Sequence, residues 1–214
     1  AETGILTAFW NGNIGDIGPR LTNGQTTGNI HYTEELGGVA AQDAIRAYKN
    51  IGAYHPAELK LYHGELHLPC RPLPTLAEVE EKLAAYKNPE GLINIDMLRY
   101  HHWKEVEKTL RDPQAVPTTE WVIPQTIVAI GDAVFIPFTC EVFSEIGLRL
   151  RAYSPYAHTM CLSNTNGYTS YLPTQDQLCR GGYEVECFLY NAVYTLTDDA
   201  DQQYINENLR IMGV

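Results

Sequence analysis

The sequence is short of positive charge. Its 214 residues include 15 lysine and arginine residues against 26 aspartate and glutamate residues, which gives a formal net charge of −11 at pH 7. Nucleic acids and anionic membranes carry phosphates that repel a strongly acidic surface. We therefore exclude both as partners, whereas a neutral lipid or another uncharged small molecule is compatible with this charge.

Long hydrophobic runs are also missing. No stretch approaches the roughly 18 consecutive apolar residues that predict a membrane-spanning helix. The overall content of 44% hydrophobic and 19% charged residues is nevertheless typical of a globular protein with one sizeable core. There is no initiator methionine and no signal-like segment, so Ala1 is interpreted as a processed end, the end of an expression product or a cut through a larger protein.

The five cysteines are widely spaced and form no Cys-x-x-Cys pair. A structural zinc site of the finger type is therefore not expected. Because the number is odd, at least one thiol has no partner within the chain. Cys140 is interpreted as a small buried apolar residue rather than a nucleophile, because free cysteines are usually buried.

Hydrophobic patterning predicts an α/β fold in which mixed, partly antiparallel sheets are covered by four or five helices. Gly131-Asp132 between two apolar runs indicates a hairpin turn, and Thr75 with Glu78 forms a capping box at the start of a helix. No internal repeat or low-complexity tract is present. The predicted strands span 5–10, 57–68, 127–130, 133–138, 158–163 and 185–193, and the predicted helices span 38–51, 76–86, 96–110, 143–150 and 198–212.

Two histidine pairs are weak candidates for metal ligands. His63 and His67 share one face of a predicted strand, but residues four apart on a strand lie about 13 Å from each other, so a solvated face is the better interpretation. His101 and His102 are adjacent on a predicted helix and cannot easily share a metal. They could frame a pocket entrance, although packing or solvent exposure is the preferred interpretation.

Glu141 is the most promising single residue. It follows the apolar run 133–138 and precedes a helical pattern, so a rigid scaffold could present its carboxylate. The alternative is structural, because acidic residues favour the first turn of a helix. Phenols and another carboxylate follow in segments punctuated by glycine and proline, namely Tyr168–Tyr171 and Tyr183-Glu184, which favours the functional interpretation.

The order of these residues resembles that of the neutral/alkaline, non-lysosomal ceramidases, which are zinc-dependent amidases that cleave the N-acyl bond of ceramide. The resemblance rests on Pro-x-x-x-Glu ending at Glu141, on Asn-x-Tyr-Thr-x-Tyr ending at Tyr171, and on Tyr-Glu at Tyr183, twelve residues later. It implies that Glu141 and Tyr171 coordinate zinc and that Tyr183 stabilises the transition state.

The segment NIGDIGP, residues 13–19, resembles the Asn-x-Gly-Asp-x-Ser-Pro segment of the same family. Gly18 occupies the position of the family's catalytic serine, so a covalent serine mechanism cannot operate there. Zinc-bound hydroxide could still attack an amide directly. The resemblance also implies that Asn13, Asp16 and Tyr168 bind substrate. The alternative for the glycines of this segment is an ordinary tight loop.

The resemblance further implies a domain organisation and a location. Residues 1–214 are expected to form a single domain, the C-terminal portion of a larger catalytic domain, without the immunoglobulin-like domain that often follows. The two zinc-binding histidines would lie outside this chain, on an N-terminal companion chain, and the protein would be secreted or periplasmic. The expected activity is hydrolysis of an N-acyl bond in a lipid-like substrate. The alternatives are a non-catalytic lipid- or glycan-binding protein and a hydrolase acting on a different bond.

Overall fold

The protein is described here by a computed structural model that covers residues 4–20, 24–25 and 28–214. The interpretations of Ala1 lie outside these residues. The described part contains six α-helices and six strands, with short 3₁₀ helices at Pro89–Gly91 and Gln175–Arg180. In chain order they are α1 (Ile30–Lys49), β1 (Leu59–Pro69), α2 (Leu76–Ala84), α3 (Asn94–Arg111), β2 (Glu120–Ile130), β3 (Ala133–Pro137), β4 (Glu141–Val142), α4 (Ser144–Tyr153), β5 (His158–Leu162), β6 (Tyr171–Leu172), α5 (Tyr183–Tyr190) and α6 (Ala200–Met212).

The main sheet has four strands in the order β1-β2-β3-β5. The first two pairings are antiparallel, and β3 pairs with β5 in parallel through a crossover that contains α4. The predicted hairpin at Gly131-Asp132 is confirmed, with Gly131 at a φ of +61°. The mixed, partly antiparallel α/β class is therefore confirmed. A separate two-stranded parallel sheet joins β4 to β6.

Alternating apolar residues of the main sheet form the core. Leu66 and Leu68 of β1 and Ile136 of β3 are fully or almost fully buried, and α4 and α6 cover this face with Ile146, Leu150, Tyr204 and Ile205. One polar network lies inside this core. The Gln125 amide donates to Asn208 Oδ1 at 2.7 Å and to the Pro137 carbonyl at 2.9 Å, so buried amide groups find partners.

Helix α3 packs against both α2 and α5, and α5 also contacts β6. The predicted capping box is confirmed, because the Thr75 hydroxyl accepts from the Glu78 N–H at 3.3 Å while the Glu78 carboxylate accepts from the Thr75 N–H at 2.7 Å. His102 is buried and its Nδ1 lies 2.9 Å from the Ala192 carbonyl oxygen, whereas His101 is exposed.

The predicted solvated face of β1 is confirmed as well. His63 and His67 are both exposed, and each contacts the neighbouring strand β2, through Thr126 and Glu120 respectively. The register of the β1–β2 pair places those residues opposite or diagonal to the histidines. The two rings therefore serve cross-strand contacts on a solvent-facing surface.

Three expectations for the elements are wrong. Residues 5–10 are exposed and form no strand, with the Leu6 side chain completely accessible. The helix predicted at 38–51 exists but begins at Ile30, and none of its residues is buried, so it does not lie against the core. The apolar run 185–193 belongs to helix α5 and the turn after it, because its buried residues Val185 and Phe188 are spaced three apart, as on a helix.

No helix in the described ranges has the length and apolar character needed to cross a bilayer.

The contrast in burial between Leu68 and Leu6 generates a stability prediction. Leu68 is completely buried and Leu6 is completely exposed. We expect Leu68→Ala to lower the free energy of unfolding by about 2–5 kcal/mol, because it removes buried methyl groups and leaves a cavity. The matched control Leu6→Ala should change it by less than about 0.5 kcal/mol. Urea unfolding followed by circular dichroism measures both, and equal effects would contradict the assignment of the core.

Candidate active site

Glu141 and Tyr171 lie opposite each other in the two-stranded sheet. They are register partners in the parallel β4–β6 pair, and the Glu141 N–H donates to the Ser170 carbonyl at 2.8 Å. The next hydrogen bond of this ladder runs from the Phe143 N–H to the Leu172 carbonyl at 3.1 Å. Two residues that are 30 positions apart in sequence are therefore neighbours in this sheet.

The loop before Tyr171 has an unusual backbone. Asn164, Asn166 and Ser170 all adopt positive φ, and Ser170, at +80°, is buried. Asparagine tolerates this left-handed conformation, whereas serine does so less readily, so the conformation of Ser170 is a strained one held by its surroundings. It orients the Ser170 carbonyl toward Glu141 and places Tyr171 at the start of β6.

The segment 13–18 is held against the same two-stranded sheet. The Gly15 N–H donates to the Val142 carbonyl at 2.9 Å, and the Asn13 amide donates to the Phe143 carbonyl at 3.2 Å. Asp16 accepts hydrogen bonds from both the backbone N–H and the hydroxyl of Ser144, at 2.7 and 2.8 Å. Asp16 thus caps helix α4, whose own preceding residues provide no side-chain cap.

Gly15 permits this close approach. A Cβ atom at this position would lie 2.5 Å from the Glu141 carbonyl oxygen and 2.9 Å from the Val142 carbonyl carbon. Both are backbone atoms of β4, which cannot move aside without disrupting the ladder. Glycine is therefore required where the loop crosses the strand that carries Glu141.

These segments enclose a cleft of about 520 Å³. Three carboxylate residues, Asp16, Glu141 and Glu184, face it, and the described part of its lining includes no lysine, arginine or histidine. The cleft also includes Gly18. The remaining described lining residues are Ile14, Gly15, Ile17, Phe143, Tyr171, Gln177, Gly181 and Val185.

The phenols near Glu141 hold their protons tightly. Burial raises the pKa of Tyr171 well above its ordinary value, and the negative charge of Glu141 raises it further. The pKa of Tyr183 is raised mainly by a hydrogen bond with the Cys187 thiol. Both side chains are therefore neutral at pH 7. Tyr171 lines the cleft and can donate its O–H to an acceptor there, whereas Tyr183 packs against Tyr171 and is not among the described lining residues.

The structure brings some predicted site residues together and leaves others apart. Tyr183 is on the first turn of α5, and its ring packs edge-on against Tyr171 with 5.8 Å between the centroids. Tyr168 is two-thirds exposed and does not line the cleft. Asn13 and Asp16 bind the start of α4, although Asp16 also faces the cleft. Substrate binding by these residues stays a prediction.

A zinc ion would find part of a ligand set here. Glu141 and Tyr171 offer two adjacent oxygen donors, and zinc in proteins takes three or four protein ligands. Across residues 4–20, 24–25 and 28–214, no three His, Cys, Asp or Glu side chains are grouped to hold a metal ion. The pair therefore fits as two ligands but does not complete a site. A phenol ligand must also lose its proton, which the high pKa of Tyr171 opposes until a cation is near.

Two cleft residues were not singled out from the sequence. Gln177 lies on the 3₁₀ helix between β6 and α5, and Glu184 is half-buried on the first turn of α5. Glu184 belongs to the Tyr183-Glu184 pair, but it carried no assigned role. Their position between or next to the two motif tyrosines is the sequence signal that could have indicated them.

The tight approach at Gly15 generates a prediction about loop attachment. Gly15→Ala should lower the free energy of unfolding by about 1–3 kcal/mol, because the added methyl group collides with β4 backbone atoms. Gly12→Ala is the matched control, since a Cβ there meets nothing within 4 Å. Urea unfolding compares the two variants. An equal, small effect would show that the loop does not depend on this contact.

The charge of Glu141 generates a second prediction. Glu141→Gln should lower the pKa of Tyr171, because it removes a negative charge that disfavours the phenolate. The pKa should remain above the ordinary tyrosine value, since burial is the larger cause and is unchanged. Titration of the tyrosine ζ-carbon signals by NMR measures it, with Glu58→Gln as a control on another part of the chain. An unchanged Tyr171 pKa would separate the two side chains.

Known proteins are only weakly similar to this chain. No family model matches the sequence, and no curated protein matches it either. Among solved structures, the chain is similar to the neutral ceramidase from Pseudomonas aeruginosa, with 17% identity and a TM-score of 0.41 over 73% of this chain and 29% of that one. It is also similar to a ceramidase complexed with C2, with 16% identity and a TM-score of 0.33 over 47% and 15% of the two chains. This chain thus spans less than a third of either protein.

Proposed function

We propose that this chain is part of a hydrolase that cleaves an N-acyl bond of a lipid-like substrate. The proposal rests on one observation, the convergence of three distant segments on a single cleft. Residues 14–18, Glu141 and Tyr171 all line the same cavity of about 520 Å³, although more than a hundred positions separate the loop from Glu141 and 30 separate Glu141 from Tyr171. These are the segments in which the resemblance to ceramidases is concentrated.

The side chains support acyl transfer chemistry in a specific way. Tyr183 is a neutral phenol whose ring packs against Tyr171, so we infer that it donates a hydrogen bond to the substrate carbonyl oxygen as negative charge develops there. Glu141 supplies a carboxylate next to Tyr171. The lack of cationic side chains in the described lining favours a neutral amide substrate over an anionic one.

Zinc is part of this proposal, with Glu141 and Tyr171 as two ligands and histidines from outside this chain as the others. When bound, zinc would polarise the amide carbonyl and supply hydroxide, which is the chemistry that Gly18 cannot provide. Secretion or a periplasmic location belongs to the same proposal. A companion chain, or another part of a longer protein, would then complete the cleft.

A second candidate is a non-catalytic binding protein for a lipid or glycan. Gly18 favours it, because this position carries no hydroxyl to attack the substrate or to orient water. The cleft would then retain its shape and polarity without the chemistry. A hydrolase acting on a different bond is the third alternative.

The test begins with protein purified from its natural source. Native mass spectrometry reports zinc and any companion chain, and hydrolysis is measured with a fluorescent short-chain N-acyl sphingoid amide. We expect zinc, hydrolysis by the wild type, and a decrease of about 10²–10³-fold in kcat for Tyr183→Phe, the usual effect of removing one oxyanion donor. Tyr153→Phe, at an exposed position at the end of α4, is the matched control.

The other outcomes separate the alternatives. Hydrolysis only after Gly18→Ser would overturn the enzymatic proposal for the natural protein and favour the binding protein. Absence of zinc from both the wild type and the Gly18→Ser variant would overturn the assignment of Glu141 and Tyr171 as ligands. Hydrolysis of an ester but not of the matching amide would indicate the third alternative.

A further inference from the structure

Two further cavities share no described lining residue with the cleft of Glu141. The larger is a groove of about 470 Å³ and the smaller has a volume of about 190 Å³. Both are lined by the segment 71–73. This segment follows β1 and Cys70, which forms an isolated β-bridge with Leu196. We call them the apolar groove and the aromatic cavity.

The apolar groove offers a surface for a flexible hydrocarbon. Its walls include Leu73, Leu110, Ala115, Pro117 and Tyr194. The three threonines in the wall are uncharged, and its one acidic side chain, Asp112, is engaged as a hydrogen-bond acceptor for the Gln114 N–H at 2.9 Å. The volume falls in the range of small-molecule pockets rather than of packing defects.

The aromatic cavity has a different character. Trp103, Tyr190 and His102 form packed rings along it, with centroid separations from 4.5 to 5.8 Å. Lys82 lines the same cavity, with its Nζ 4.9 Å from the centre of the Trp103 ring. Burial lowers the pKa of His102, so this ring is neutral at pH 7 and Lys82 supplies positive charge.

Arg71 lies where the two cavities meet. One terminal nitrogen of its guanidinium pairs with Asp198. Its Nε is buried and has no hydrogen-bond partner among the described residues. A buried donor without a partner is unusual, because most buried polar atoms in proteins are paired. The Arg71 side chain as a whole is 31% exposed, so its terminal nitrogens can reach a second carboxylate, which matches the fork of a guanidinium.

We propose that these cavities bind a free fatty acid, with its carboxylate between Arg71 and Lys82 and its hydrocarbon chain in the apolar groove. The argument is charge complementarity. In a protein with a net charge of −11, two cationic side chains line adjoining cavities at the end of an apolar groove. An amphiphilic anion fits this arrangement, because Arg71 and Lys82 line the same cavity and both attract a negative charge, which a neutral or cationic lipid does not offer.

The test is calorimetric titration of the whole protein with sodium decanoate in its monomeric range. Decan-1-ol and hexanoate vary the head group and the chain length separately. We expect decan-1-ol to bind at least about tenfold more weakly, which corresponds to one lost charge-assisted hydrogen bond. Hexanoate should also bind more weakly, by up to about fourfold for each methylene group removed.

Three variants assign the binding site. Lys82→Gln changes an exposed side chain and should weaken decanoate by about tenfold, and Arg71→Gln should weaken it further. Ala115→Trp fills the groove without altering charge and should abolish binding of the long chain. Lys108→Gln, at an exposed position on α3 outside both cavities, is the control and should bind as the wild type does.

The proposal is overturned if decan-1-ol binds as tightly as decanoate, or if Lys82→Gln and Ala115→Trp both retain wild-type affinity. It is also overturned if decanoate does not bind the wild type. Normal circular dichroism of the Lys82 and Ala115 variants excludes unfolding as the cause of a loss. None of these results depends on whether the cleft of Glu141 is catalytic.

Discussion

The short parallel pairing of β4 with β6 is the constraint on which the candidate active site depends. Only two register pairs join these strands, Glu141 with Tyr171 and Val142 with Leu172. Such a short ladder has little stability of its own, so it relies on what packs around it. Gly15 lies against one side of it, and the fully buried Val142 and Leu172 extend into the core on the other.

This arrangement explains why the phenols near the site stay protonated. The core beneath β4 and β6 consists of buried apolar residues, so charged forms of nearby phenols and thiols are disfavoured. Tyr171 and Tyr204 both have raised pKa values for this reason, and Tyr204 further shares hydrogen bonds with Thr139, Cys140 and Thr169. Glu141 therefore stands at the boundary between an acidic, open cleft and a layer of neutral donors.

The sequence predicts elements well where one face is buried and poorly where burial is absent or complete. Strands β1 and β3 follow clear patterns, and the Thr75 capping box marks the start of α2. The run 185–193 is apolar without a clear period, and length alone cannot distinguish a buried strand from a short helix. Residues 5–10 are as apolar as a core strand but do not pair with any strand, which no local pattern reveals.

The site was predictable only in part for the same reason. Glu141, Tyr171 and Gly18 could be named from motif order, but their meeting in one cleft depends on a parallel pairing thirty residues apart. The structural engagement of Asp16 as the cap of α4 could not be inferred, since its partner Ser144 is 128 positions away. Gln177 carries no motif and comes to the cleft through a 3₁₀ turn.

The reactivity of the cysteines reports local opening of the structure. Burial raises the pKa of Cys140 and of Cys161 to about 12, while Cys179 is exposed. Since only thiolates react readily with alkylating reagents, Cys179 is the accessible target in the native state, and Cys140 becomes reactive only when the strands around it separate. The rate of Cys140 labelling thus reports how often the scaffold beneath Glu141 opens. The measurement needs no added probe.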